Sequence, residues 1–150
     1  MDNTTIDTLA SSPLLKELTL DELKVLNDYF SYIQLQINEM LFNEGDDSDF
    51  IGFVVHGELD ILKKTMAGQP TVIGKIAKGR AIGEMALLDR LPRSASVCAN
   101  SGATICVLTR DAFTEMMESH PLIAAKIYKH IARTLSLNLR KTSNTLTDLI

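Results

Sequence analysis

Gly83, Glu84 and Arg93 are the residues of this chain whose types and spacing could do chemistry together. Glycine lets a backbone approach a ligand closely, and residues 84–88 (EMALL) are good helix formers. A helical turn opening at Gly83 would therefore aim unpaired N–H groups at an anion. Arg93, nine positions after Glu84, can return a planar two-pronged guanidinium to the same anion. The backbone N–H groups of Met85 or Ala86 and of Ala95, with the Ser94 hydroxyl, complete the expected donor set. Glu84 would repel a phosphate beside it, so its partner is a hydroxyl donor such as a ribose 2′-OH. An acid for sugar, an arginine for phosphate and N–H groups between them describe a nucleotide pocket.

The same stretch carries a resemblance. Gly83-Glu84-x-Ala86-Leu87, a short spacer, then Pro92-Arg93-Ser94-Ala95 resembles the phosphate-binding cassette (residues 82–95) of cyclic-nucleotide-binding domains. Such domains occur in bacterial catabolite activators, kinase regulatory subunits and gated channels. Departures fall at Ile82, where the family usually has an aromatic, and at Arg80, where an acid often follows the glycine. A weaker likeness extends over residues 15–149. The resemblance implies a cyclic nucleotide as ligand and no other cofactor. In the family, threonine after the arginine often accompanies cyclic GMP and alanine cyclic AMP. Ser94 has the hydroxyl without threonine's methyl, and because serine occurs there in cyclic-AMP-binding bacterial relatives the resemblance implies cyclic AMP rather than cyclic GMP. It also implies that Thr142 and Ser143, on the last helix, contact adenine, one residue from each subunit of a homodimer.

The elements that must position these residues can be read from periodicity. The chain has 150 residues, enough for one domain with one substantial core. Residues 1–12 are threonine- and aspartate-rich and read as a loose start to a helical lead-in over residues 1–30. Ser12-Pro13 reads as a helix start, and Thr19-Leu20-Asp21-Glu22 has capping-box spacing with Leu18 and Leu23 as its staple. From residue 31 the period becomes two, with Ile33, Leu35 and Ile37 expected inward. Further runs begin at Met40, Phe50, Leu59, Val72, Ser94 and Thr104, punctuated by Gly45-Asp46, His56-Gly57, Gly68 and Asn100-Ser101-Gly102. About eight short strands over residues 31–108 imply a mainly β fold, an antiparallel β-roll of jelly-roll type (a double-stranded β-helix). The cassette must sit at its mouth.

Residues 109–150 read as helical. Thr109 caps a helix with Phe113, Met116 and Met117 inward, and Pro121 opens a longer one. Along it, Tyr128, Ala132, Leu135, Leu139, Thr142, Leu146 and Leu149 follow coiled-coil spacing, while Ile123, Ile127 and Ile131 form a second stripe for the roll. The alternative is a single packed face with fraying after Leu139.

Composition narrows the function classes. Net charge is −4, divided between +4 from residue 121 onward and −8 before it, a poor balance for non-specific nucleic-acid binding. No run of about eighteen apolar residues could span a membrane. The N-terminus lacks a signal-peptide pattern, which implies a cytoplasmic protein. Cys98 and Cys106 read as buried free thiols, a disulfide being the alternative. His56, His120 and His130 show no metal-ligand spacing, and Asp46, Asp47 and Asp49 lack the later glutamate of a calcium loop. No nucleophile elbow is present, so a binding domain is expected rather than an enzyme. Two readings remain: a cyclic-nucleotide sensor signalling through its last helix, or a roll that binds another effector or none and serves as a dimerisation module. The chain ends at Ile150 without a helix-turn-helix, as in a stand-alone sensor or one cut before an output domain.

Overall fold

The computed structural model describes residues 3–149, so the expected limits at residues 1 and 150 lie outside it. Among the described residues, the strands are β1 (Ser31–Leu35), β2 (Met40–Phe42), β3 (Phe50–His56), β4 (Leu59–Lys64), β5 (Pro70–Ile76), β6 (Ala81–Ile82), β7 (Ser96–Ala99) and β8 (Ala103–Thr109). They pair antiparallel in two four-stranded sheets, β1-β8-β3-β6 and β2-β7-β4-β5. The fold is the antiparallel β-roll expected, with short N-terminal helices and a long C-terminal one. Strand β6 escaped the sequence reading because two residues carry no period.

The β3 and β8 runs are nearly continuous in apolar residues because their sheet is covered on both faces. Val54, Ile105 and Val107 point into the roll with Leu35, Phe42, Leu59 and Val97. Ile51, Phe53, Cys106 and Leu108 point outward into a second core made with the helices. In β1 the expected alternation fails. Leu35 is buried, but Ile33 is 36% and Ile37 61% exposed. β1 is an edge strand paired only with β8, and Ile37 lies beyond its end, so neither gains the cover that the period of two assumes.

The helical layer consists of α1 (Asn3–Ala10), a single 3-10 turn (Pro13–Leu15), α2 (Leu20–Asn27), α3 (Arg110–Ser119) and α4 (Pro121–Leu149). The expected loose start is thus corrected: α1 buries Ile6 and Leu9 in the helical core. Its threonines are poor helix formers, but each fully buried aliphatic side chain contributes roughly 1.5–3 kcal/mol, enough to hold so short a helix. Ser12 makes no cap; its hydroxyl is buried without a partner and only the 3-10 turn follows. Both halves of the Thr19–Glu22 capping box form, at 3.2 and 2.9 Å. Thr109 caps α3 by accepting from the Ala112 N–H at 3.1 Å. α3 buries Phe113 and Met116 fully and Met117 in part.

α4 divides in two. Ile123, Ala124, Ile127 and Ile131 are buried, whereas Leu137, Leu139 and Leu146 are more than half exposed. The helix continues past Leu139, and the side chain of Leu149, the last of the expected seam, is not among those described. Cys106 is buried and Cys98 half-buried; they are unpaired, and burial pushes the Cys106 thiol up to about 12. No described helix is long and apolar enough to cross a membrane.

Candidate functional site

The segment between β6 and β7 folds as the sequence demands locally. Gly83 adopts a left-handed φ of 71° and opens a 3-10 turn over Glu84–Leu87. That φ is strained for any residue with a Cβ, and a Cβ here would also strike the Arg93 guanidinium. Glycine is therefore required twice, by the backbone and by the arginine beside it.

Arg93 is 5% exposed. Its Nη2 donates to the Phe50 carbonyl at 2.7 Å, while Nε has no partner. The guanidinium carbon lies 4.0 Å from the Phe42 ring centroid and 4.6 Å from that of Phe50. Aromatic faces attract a cation, but they do not neutralise it. Burial holds this guanidinium below the usual arginine range; Asp49 opposes that, Arg110 adds to it, and Asp46 opposes it again. The Arg93 backbone is fastened to the β2–β3 loop: its N–H donates to the Asp46 carbonyl, and its carbonyl accepts from the Gly45 N–H, both at 2.8 Å.

Arg93 and Gly83 line a cavity of about 430 Å³, within the range of small-ligand sites. Glu84, Met85, Ser94 and Ala95 line it too, as do Ser48 and Asp89. The remainder is apolar: Phe42, Ile61, Ile76, Leu91 and Val97 among others. Within the described residues, no hydrogen bond or ion pair engages the Glu84 carboxylate. A buried cation and an unpartnered acid thus line one cavity whose other walls are largely apolar. Such a site can take a ligand with an anionic end, a hydroxyl and a flat apolar part.

Three of the residues expected from the sequence are not in this cavity. Ala86 is fully buried, and its N–H already donates to the Gly83 carbonyl at 3.0 Å. The N–H of Met85, one residue earlier, has no backbone acceptor, because the first donors of a helical turn have none behind them. Thr142 and Ser143 lie on the exposed outer part of α4, with the Thr142 hydroxyl donating to the Asn138 carbonyl at 3.0 Å.

A family model, the cyclic nucleotide-binding domain, matches residues 32–120, more than half of the chain. The chain belongs to the cyclic nucleotide-binding domain family. Among solved structures, the catabolite activator protein of Thermus thermophilus superposes with a TM-score of 0.80 at 25% identity, over 92% of this chain and 63% of that one. The regulatory domain of Toxoplasma gondii protein kinase A, solved with cyclic AMP, superposes with a TM-score of 0.69 at 28% identity, over 77% and 45%. Among curated proteins, the lysophospholipase NTE1 of Phaeosphaeria nodorum is 31% identical over 101 residues. That stretch is 67% of this chain but only 7% of the lysophospholipase.

Sequence reasoning missed two parts of the site. Phe42 and Phe50 were legible as strand residues, but not as the two faces around Arg93. Arg110 was legible only as the residue after a cap. Its guanidinium donates to the Ala86 carbonyl at 3.1 Å, to the Asp89 carbonyl at 2.9 Å and to the Ser48 carbonyl. No sequence signal could have found it, because its acceptors are backbone groups 21 to 62 residues away.

Proposed function

We propose that this domain binds a cyclic nucleotide, cyclic AMP in preference to cyclic GMP, and acts as a regulatory sensor rather than an enzyme. The observation that carries this reading is Arg93: a cation 5% exposed, without a carboxylate partner, in the wall of a ligand-sized cavity. Removing a charge from water costs several kcal/mol unless an opposite charge answers it, and a cyclic phosphate would supply that charge. Arg93 anchors the phosphate, with the N–H groups of Met85 and Ala95 and the Ser94 hydroxyl. Glu84 accepts from the ribose 2′-OH. The apolar wall of Ile61, Ile76, Leu91 and Val97 takes the base. That wall favours adenine, because it would leave the extra polar groups of guanine without partners. Kinship with a regulatory domain solved with cyclic AMP supports the same choice.

Calorimetric titration with cyclic AMP and cyclic GMP tests the reading. Saturable binding with cyclic AMP several-fold tighter is expected. Tighter binding of cyclic GMP would overturn the base assignment, and absence of both would overturn the sensor.

The output belongs to the same proposal. The exposed outer stripe of α4, with Leu139 68% exposed, suits a second copy of this chain, and Thr142 and Ser143 would then contact the base, one residue from each subunit. The unpaired thiols suit a cytoplasmic setting. Thr142→Leu should tighten the ligand-free dimer in sedimentation while weakening nucleotide binding in calorimetry. A tighter dimer with unchanged affinity would leave Thr142 a seam residue, and a monomer in the presence of ligand would remove this coupling.

A further inference from the structure

We propose that Arg110, outside the cassette, is the positioning residue of the anion site, fixing the gap between the turn after Gly83 and the loop that holds Arg93. This rests on the nucleotide reading above and adds to it the device that holds the two arms of the site at one spacing.

One arm is the 3-10 turn that carries Glu84 and the Met85 N–H; the other is the loop of residues 43–49, fastened to the Arg93 backbone through Gly45 and Asp46. No backbone hydrogen bond joins the two arms directly. Arg110 joins them. Its Nε and Nη2 take the Ala86 and Asp89 carbonyls at the back of the turn, and Nη2 also takes the Ser48 carbonyl in the loop. The Arg110 N–H adds a bond to the Asp49 carbonyl at 2.8 Å. The clamp itself is rooted. Arg110 is the first residue of α3, whose Phe113 packs edge-on against Tyr128 of α4 at 5.2 Å. Any change in the spacing of the arms therefore meets resistance from the helix pair.

A planar fork of five N–H donors can serve three acceptors on two segments, and an ammonium on a flexible stem cannot hold them in one plane. Charge enters as well. Arg110 is one of the influences that disfavour the charged form of Arg93, so an anion between the arms relieves a repulsion built into the unliganded site.

The test compares wild type with Arg110→Lys, which keeps the charge, and Arg110→Gln, which does not; Arg93→Ala is the control. Each folded variant is titrated with cyclic AMP and with 2′-deoxy cyclic AMP. Amide exchange of Ala86, Leu88 and Asp89 is followed without ligand, since all three N–H groups donate within the turn. Arg110→Lys is expected to bind cyclic AMP at least tenfold more weakly and to lose 2′-OH discrimination although Glu84 is intact. The three amides are expected to exchange at least tenfold faster, with a Tm near that of wild type. Binding within twofold of wild type and an unchanged 2′-OH ratio would overturn the proposal. If wild type binds neither nucleotide, the functional reading fails separately, and unchanged amide exchange in Arg110→Lys would then still overturn the clamp.

Discussion

Arg93 and Lys126 are both cations drawn in from solvent, and the fold treats them in opposite ways. Lys126 on α4 meets Glu22 on α2 at 2.6 Å, the two side chains being 24% and 16% exposed. The same carboxylate oxygen closes the α2 capping box. Burial alone would raise Glu22, but the Lys126 and Thr19 hydrogen bonds overcome it and hold the carboxyl below its usual range. Arg93 is more deeply buried and has one carbonyl and two aromatic faces against its guanidinium, with Asp49 and Asp46 acting on it only through space and no ion pair among the described residues. A pair satisfied within the chain fastens helices together. A buried cation without an ion pair beside a cavity leaves room for an anion to complete its surroundings.

The sharpest way to break this comparison is Arg93→Met, which keeps the volume and removes the charge. Truncating one partner of a buried charge-assisted contact costs roughly 2–5 kcal/mol, about thirty- to several-thousand-fold in affinity. Calorimetry should show that loss of cyclic AMP binding, while Arg90→Ala, on the exposed spacer, should change little. The Tm of Arg93→Met should hold or rise, because an uncompensated buried charge has gone. A fall in Tm with affinity intact would make Arg93 a structural residue like Lys126.

Glu84→Gln sharpens the other half of the site. A hydrogen bond to a charged group is worth about 1.5–3 kcal/mol, so cyclic AMP affinity should fall about ten- to a hundredfold. The preference for cyclic AMP over its 2′-deoxy analogue should shrink with it. Undiminished discrimination would move the ribose elsewhere.

Glu22→Gln addresses the paired cation and keeps the cap, since the amide oxygen still accepts from Thr19. It should cost about 1 kcal/mol, discounted from the value for fully buried pairs because both side chains retain some exposure, and leave nucleotide affinity unchanged. The sign of its pH dependence follows from a lowered folded-state value. The Glu22 contribution is complete above the unfolded carboxyl value near 4.5 and is lost as pH falls through the lower folded value. Wild type and variant should therefore converge in Tm on acidification, and a gap that widens toward low pH would contradict the pairing.

Local chemistry made much of this protein legible in its sequence. The Gly83 turn, the Thr19–Glu22 box and the Thr109 cap each depend on a few neighbouring residues and a short backbone geometry, and all three formed. The runs beginning at Phe50 and Thr104 read as strands, but only the two cores that β3 and β8 face showed them covered on both sides. What the tertiary structure alone decided is what neighbours far along the chain supply. Burial of Ile6 and Leu9 gave α1 a helix that its threonines do not favour, and the edge position of β1 left Ile33 and Ile37 uncovered. The Phe42 and Phe50 faces around Arg93, and the grip of Arg110 on Ser48, Ala86 and Asp89, depend on distances that span more than one element. Dihedral preference and hydrogen-bond capping act within a turn and are written in adjacent letters. Cover, cation stacking and the capture of remote carbonyls arise only when the chain has closed on itself.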